Sequence, residues 1–229
     1  MRWLIILFLA AVCNQSLQAQ TVYGGLMPEM GLTLPVSGRF SQTYKIENQH
    51  FLFRDGTDSE NGTVYEYERT DLQFFLNMKF AGNWKASLGY QFRIEEQWNT
   101  NHRPIQQIAT STRIGHLRLA HRIRFDQTLE RNEPFLFRTR YRAALEIPLS
   151  GEKLDPKEFY LVFSDEPIFG IDRNGPSVEN RFVATIGHFF SNGNKLELSL
   201  DHRADKFFDN GIRQRIWLKI GWFINISEN

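Results

Sequence analysis

From Phe40 onward, apolar and polar residues alternate with period two along most of the chain. The clearest stretch is 117–147. In its first arm Leu117, Leu119, His121, Ile123 and Phe125 share one face, and Arg118, Ala120, Arg122, Arg124 and Asp126 share the other. In its second arm Phe135, Phe137, Thr139, Tyr141, Ala143, Leu145 and Ile147 oppose Leu136, Arg138, Arg140, Arg142, Ala144 and Glu146. Side chains alternate across a strand, so each arm reads as a ribbon with one oily face and one charged face. Each arm runs roughly thirteen to fifteen residues, well beyond the usual strand of about 5–6. A second hairpin is as clear. Leu72, Leu76, Met78 and Phe80 pattern its first arm, Trp84, Leu88, Tyr90 and Phe92 its second, and Ala81-Gly82-Asn83 is the tight link.

Further strands are predicted at 40–53, 105–114, 159–169, 180–190, 195–203 and 212–226. That makes ten from Phe40 on. Residues 21–35 alternate weakly and contain Gly24, Gly25, Pro28 and Gly31. Proline suits an edge rather than a closed ladder. This segment is therefore expected as a periplasmic extension or a first edge strand, with twelve strands as the alternative count. The links at 81–83, 115–116 and 191–194 are short. Those at 54–63, 96–104, 130–134, 172–177 and 207–211 are mostly longer and polar. Outer-membrane barrels have short periplasmic turns and longer external loops, and an even strand number. The expectation is an all-β, antiparallel membrane barrel of about ten strands, whose last strand ends in the periplasm.

The start of the chain adds the compartment. Arg2 precedes an apolar run, Trp3 to Val12, then polar residues and Ala19. This is the layout of a cleaved secretory signal peptide, and it is too short to span a bilayer. The domain reading is a leader at 1–19, an N-terminal segment or first edge strand at 20–38, and the barrel at 39–229. The single cysteine, Cys13, leaves with the leader. Export then comes without disulfides and without a thiolate. Loss of Arg2 leaves as many basic as acidic side chains, which speaks against a nucleic-acid binder. Twenty Phe, seven Tyr and five Trp fit strands facing lipid. The localisation implied is the outer membrane of a Gram-negative bacterium. The partners implied are outer-membrane lipid and, during biogenesis, the barrel-assembly machinery. The structural rival is a soluble barrel or sandwich, with the arginine faces turned to water.

Several stretches also resemble the DUF2490 family of uncharacterised outer-membrane-type proteins, common in Bacteroidetes. They are the export signal ending in Ala19-Gln20, NWKASLGYQFR at 83–93, GHLRLAHRIRFDQ at 115–127, FRTRYRAALEIPL at 137–149 and ENRFVATIGHFFSNGNKLELSL at 179–200. The resemblance covers most of the mature chain. It implies a barrel-like fold and carries no site residues.

The candidate chemistry is the arginine stripe. Arg118, Arg122, Arg124, Arg138, Arg140, Arg142, Arg213 and Arg215 share faces with Asp126 and Glu146. Such a face reads as a lumen closed by Arg–carboxylate pairs, in a protein with a structural or surface-binding role. The alternative is a narrow anion-preferring pore, or a pocket for a small anion or lipid headgroup. A lipid-modifying barrel hydrolase is a third reading. His188 with Ser191 and His121 with Asp126 are the nearest pairs for it. The second puts its members on opposite faces, and neither makes a nucleophile–base pair. The six histidines show no metal-ligand spacing. No catalytic residue, metal or cofactor is assigned.

Overall fold

A computed structural model describes residues 19–56, 62–131, 133–208 and 211–226. The expected leader at 1–18 and the tip of the expected 54–63 loop lie outside the described residues. Eleven strands follow one another: β1 (Ala19–Ser37), β2 (Phe40–Gly56), β3 (Gly62–Ala81), β4 (Trp84–Glu95), β5 (Thr100–Ile114), β6 (Leu117–Glu130), β7 (Leu136–Pro148), β8 (Glu158–Asp172), β9 (Gly175–Phe189), β10 (Lys195–Asp205) and β11 (Ile212–Asn225). They close into one barrel in sequence order. Consecutive strands are antiparallel. β1 and β11 close the ring in parallel, from Thr21↔Arg213 to Thr33↔Asn225.

The closed all-β barrel expected from the periodicity forms, and its strand count is eleven. Residues 21–35 are neither a periplasmic extension nor an edge. They form β1, which pairs with β2 on one side and β11 on the other. Up-and-down strands in odd number bring the first and last into the same direction, so the closing seam must be parallel. This departs from the even count usual in bacterial membrane barrels. Pro28 is accommodated because the β1–β2 ladder passes over Met27 and Pro28, between Leu26↔His50 and Glu29↔Glu47.

The weak alternation of β1 has a packing cause. Its lumen face meets a small apolar plug in which Met27 and Trp217 are fully buried beside Phe51, flanked by Tyr23 and Val64. At Gly25 a Cβ would lie 2.6 Å from the Trp217 ring, so only glycine lets the indole in.

Inside and outside follow the predicted parity. Leu72, Leu76, Met78, Leu88, Ile123 and Leu198 are exposed on the outer wall. Asp71, Asn77, Ser87, Arg124, Asp126, Arg140 and Asp201 are buried in the lumen. Exposed aromatics stand at both ends of the outer wall, Phe40, Phe80, Trp84 and Phe159 at one and Phe53, Phe135 and Phe169 at the other. Several polar side chains that face outward are paired across strands: Gln106 with Gln127, His121 with Tyr141, and Asp165 with Asn180.

The barrel's C-terminal end carries the links 38–39, 82–83, 115–116, 149–157 and 190–194. The chain crosses between β2 and β3, β4 and β5, β6 and β7, β8 and β9, and β10 and β11 at the N-terminal end. The expected loop at 172–177 shrinks to the turn 173–174, because β8 and β9 pair as far as Asp172↔Gly175. The longest of these links, 149–157, lies at the end with the short turns. The difference in loop length between the two ends is thus smaller than the sequence suggests.

Candidate functional site

The lumen is a stack of ion pairs, and pairing register decides who meets whom. Across β6 and β7 the inward residues oppose each other as Arg118↔Glu146, Arg122↔Arg142, Arg124↔Arg140 and Asp126↔Arg138. Two of these four rungs put like charges opposite each other, an unfavourable arrangement on its own. The neighbouring strands supply part of the compensation.

Asp126 is the first hub and has no solvent-exposed surface. Arg138 donates from Nε and Nη2 to its Oδ1 at 2.7 and 2.5 Å. Arg103 on β5 stands 3.7 Å away and Arg140 3.6 Å. Glu166 on β8 is the second hub. It accepts from Arg122 at 2.7 Å and from Arg140 at 3.2 Å. Arg140 therefore ties the two hubs together. Charge-assisted bonds of this length are the strong class, and burial makes each one costly to break.

Arg124 behaves differently. It is buried, yet its guanidinium donates to a neutral acceptor, Gln107 Oε1, at 3.1 and 2.8 Å. It also lies over the Phe75 ring, 5.4 Å from the centroid. Among the described residues no carboxylate comes within 4.0 Å of Arg124 or Arg142. At the C-terminal rim Arg118 meets Glu146 at 3.5 Å, where the arginine is 43% exposed. Lys195 approaches the same carboxylate at 3.9 Å. Arg213 and Arg215 pair outside this network, although they line the N-terminal cavity together with Arg138. They meet Asp205 at 2.8 and 2.5 Å near the N-terminal end, and Arg215 also faces Glu179 at 3.5 Å.

The ten residues singled out in the sequence thus divide among the β6–β7 wall, its rim and a separate cluster on β10–β11. Sequence reasoning missed Glu166, Arg103, Glu179 and Asp205. The parity of Phe159, Leu161 and Phe163 carries on through the predicted strand to place Glu166 in the lumen, so this residue was within reach of the pattern. Glu29 was missed because β1 was not read as a barrel strand. It bridges Lys45 at 2.6 Å and Lys219 at 3.2 Å. The sequence also gave no pairing for Asp71, which takes Arg93 at 2.6 Å, or for Asp201, which takes Arg203 at 2.8 Å.

Three cavities remain between these groups. One of about 320 Å³ opens at the N-terminal end, one of about 340 Å³ lies in the middle, and one of about 560 Å³ opens at the C-terminal end. Arg69, Arg93 and Arg181 line both the first and the second, and so stand between them. Lys85, Arg122 and Arg142 line both the second and the third. The central chamber is lined by twelve basic side chains and six acidic ones. Charge in the lumen is paired, but it is not balanced.

The histidine pairs considered from sequence do not assemble. His121 hydrogen-bonds the Tyr141 hydroxyl at 2.7 Å on the outer wall, whereas Asp126 is in the lumen. His188 packs between the rings of Phe159 and Phe190, at 4.7 and 4.4 Å. Among the described residues no group of three His, Cys, Asp or Glu is placed to hold a metal ion.

A family model described as a protein of unknown function (DUF2490) matches residues 30–211. No curated protein and no solved structure matches the chain.

Proposed function

Because the chain belongs to the DUF2490 family, whose description assigns no activity to inherit, we propose its function from the site alone: an outer-membrane barrel whose lumen is closed by ion-paired layers, with a structural or surface-binding role. The observation that carries this is the identity of the side chains standing between the cavities. Between the first and second cavities Arg93 is held by Asp71, Arg181 by Glu179 and Arg69 by Glu68; between the second and third Arg122 is held by Glu166, beside Lys85 and Arg142, which have no carboxylate within 4.0 Å among the described residues. A guanidinium fixed by a buried carboxylate does not swing aside without breaking charge-assisted bonds. The bilayer setting is supported by the apolar outer wall with aromatics at both ends, and by a lumen far too polar for a soluble core. The outer-membrane lipid and the assembly machinery are the partners this setting requires.

Planar bilayers test the closed lumen. The purified protein should give no steady conductance. Reproducible single-channel steps would reject closure. Anion-selective steps would establish the second reading, a narrow anion-preferring pore, which the excess of cations around the central chamber favours. Release of fatty acid from added phospholipid would instead establish a lipid hydrolase.

A further inference from the structure

A buried arginine lacking a carboxylate is an expensive feature, and Arg124 is one, set within a block of four lumen arginines. Arg122, Arg124, Arg140 and Arg142 occupy two adjacent rungs of the β6–β7 ladder, all facing the lumen. Glu166 serves Arg122 and Arg140, and Asp126 assists Arg140 from the edge. Arg124 has only the Gln107 amide oxygen, and Arg142 has no partner among the described residues. Lys85 on β4 lines the same central chamber, also without a carboxylate within 4.0 Å among the described residues. Nε of Arg122 and Nε of Arg140 are buried with no acceptor. Cationic groups crowd one side of this chamber, and donors there remain unspent. Unpaired charge and unsatisfied donors away from bulk solvent are destabilising unless something supplies the missing acceptors.

We infer that the central chamber, between Lys85, Arg122, Arg124 and Arg142, is a binding site for a phosphate-class oxyanion. A phosphate monoester carries about 1.5–2 negative charges and three strong acceptor oxygens, and a phosphodiester headgroup carries one charge and two free acceptor oxygens. Guanidinium forks match such oxygens in geometry, which a lone chloride cannot do. The cavity at the C-terminal end provides the approach, since Lys85, Arg122 and Arg142 line both spaces. The phosphoryl group is the shared chemistry of a free phosphate and of a phospholipid headgroup. The site goes beyond the closed-lumen reading and does not depend on it. Conductance reports whether the lumen is open, and binding in micelles reports whether the cations take an anion, so either result can fail alone.

The test uses the purified full-length mature protein in zwitterionic micelles at fixed ionic strength. One arm titrates inorganic phosphate against matched sodium chloride. The other titrates dihexanoyl phosphatidylglycerol below its micellar concentration. Calorimetry and the thermal unfolding midpoint are the readouts. Saturable binding with a raised midpoint is expected in at least one arm. Response to inorganic phosphate identifies a free anion as sufficient, and response to the lipid alone identifies a headgroup. Arg142→Gln and Arg124→Gln should each weaken that binding by about tenfold or more, the loss of one charge-assisted contact. Arg173→Gln, in the turn at the far end, should bind as the unaltered protein does. If Arg124→Gln does not fold, as judged by heat-modifiable mobility, Arg142→Gln and Lys85→Gln carry the test. No saturable binding in either arm, or undiminished binding by Arg142→Gln, overturns the site.

Discussion

Replacing Asp126 by Asn removes one negative charge and almost no volume, at the point where the lumen's pairing converges. The carboxylate is fully buried. Its loss leaves Arg138 with a neutral amide oxygen in place of contacts at 2.7 and 2.5 Å, and no other carboxylate within 4.0 Å among the described residues. Arg103 keeps its bond to the Thr128 hydroxyl at 2.9 Å but loses its counter-charge. Arg140 keeps Glu166. Two guanidiniums are thus stranded in a buried setting. Breaking one side of a buried pair costs about 3–5 kcal/mol. The Asn oxygen still accepts, so Asp126→Asn should fall near the lower figure and Asp126→Ala near the upper. Glu146→Gln is the internal control, because Arg118 is half out in water at the rim and such pairs contribute about 0–1 kcal/mol. Urea unfolding in phosphatidylcholine vesicles, followed by tryptophan fluorescence, measures all three. The argument that burial sets the value of these pairs is refuted if Asp126→Asn costs no more than Glu146→Gln.

Leu88→Arg puts a charge on the outer wall, where Leu88 is 64% exposed, and should cost about 2–4 kcal/mol in a bilayer. Ala144→Glu, facing the C-terminal cavity beside Arg118 and Arg142, should assemble with near-normal yield, and the reverse ranking in outer-membrane yield would invert the inside-out assignment. Gly187→Ala sets a Cβ 2.6 Å from the Tyr160 hydroxyl, which itself donates to Glu197 at 2.6 Å. The ring must move, an overpacking of about 1–3 kcal/mol, and adding Tyr160→Leu should recover the lost midpoint if the clash is the cause. Cysteines at His116 and Arg173 lie at opposite ends, so an impermeant reagent on whole cells should label Arg173→Cys and spare His116→Cys. Equal labelling would defeat the orientation.

Much of the architecture was legible in the chain because the period-two code is local. On β6 and β7 the charged residues all fall on alternate positions, and that alone assigned lumen and wall for Arg118, Arg122, Arg124, Arg138, Arg140 and Arg142. The hairpin β3–β4 was legible for the same reason, including its turn. Periodicity does not reach three things. It did not reveal β1, whose lumen face is cut down at Gly25 and Met27 to receive Trp217 from β11, a residue nearly two hundred positions away in the chain. It did not give the count of eleven or the parallel seam, because closure depends on where the two chain ends meet. Nor did it tell which arginines are paired. Parity says that a side chain points inward, but register between strands decides that Glu166 takes Arg122 and Arg140 while Arg124 and Arg142 go without. The sequence determined the two faces of each ribbon. The tertiary structure determined which charges share a rung, and so where the lumen is neutral and where it is left cationic.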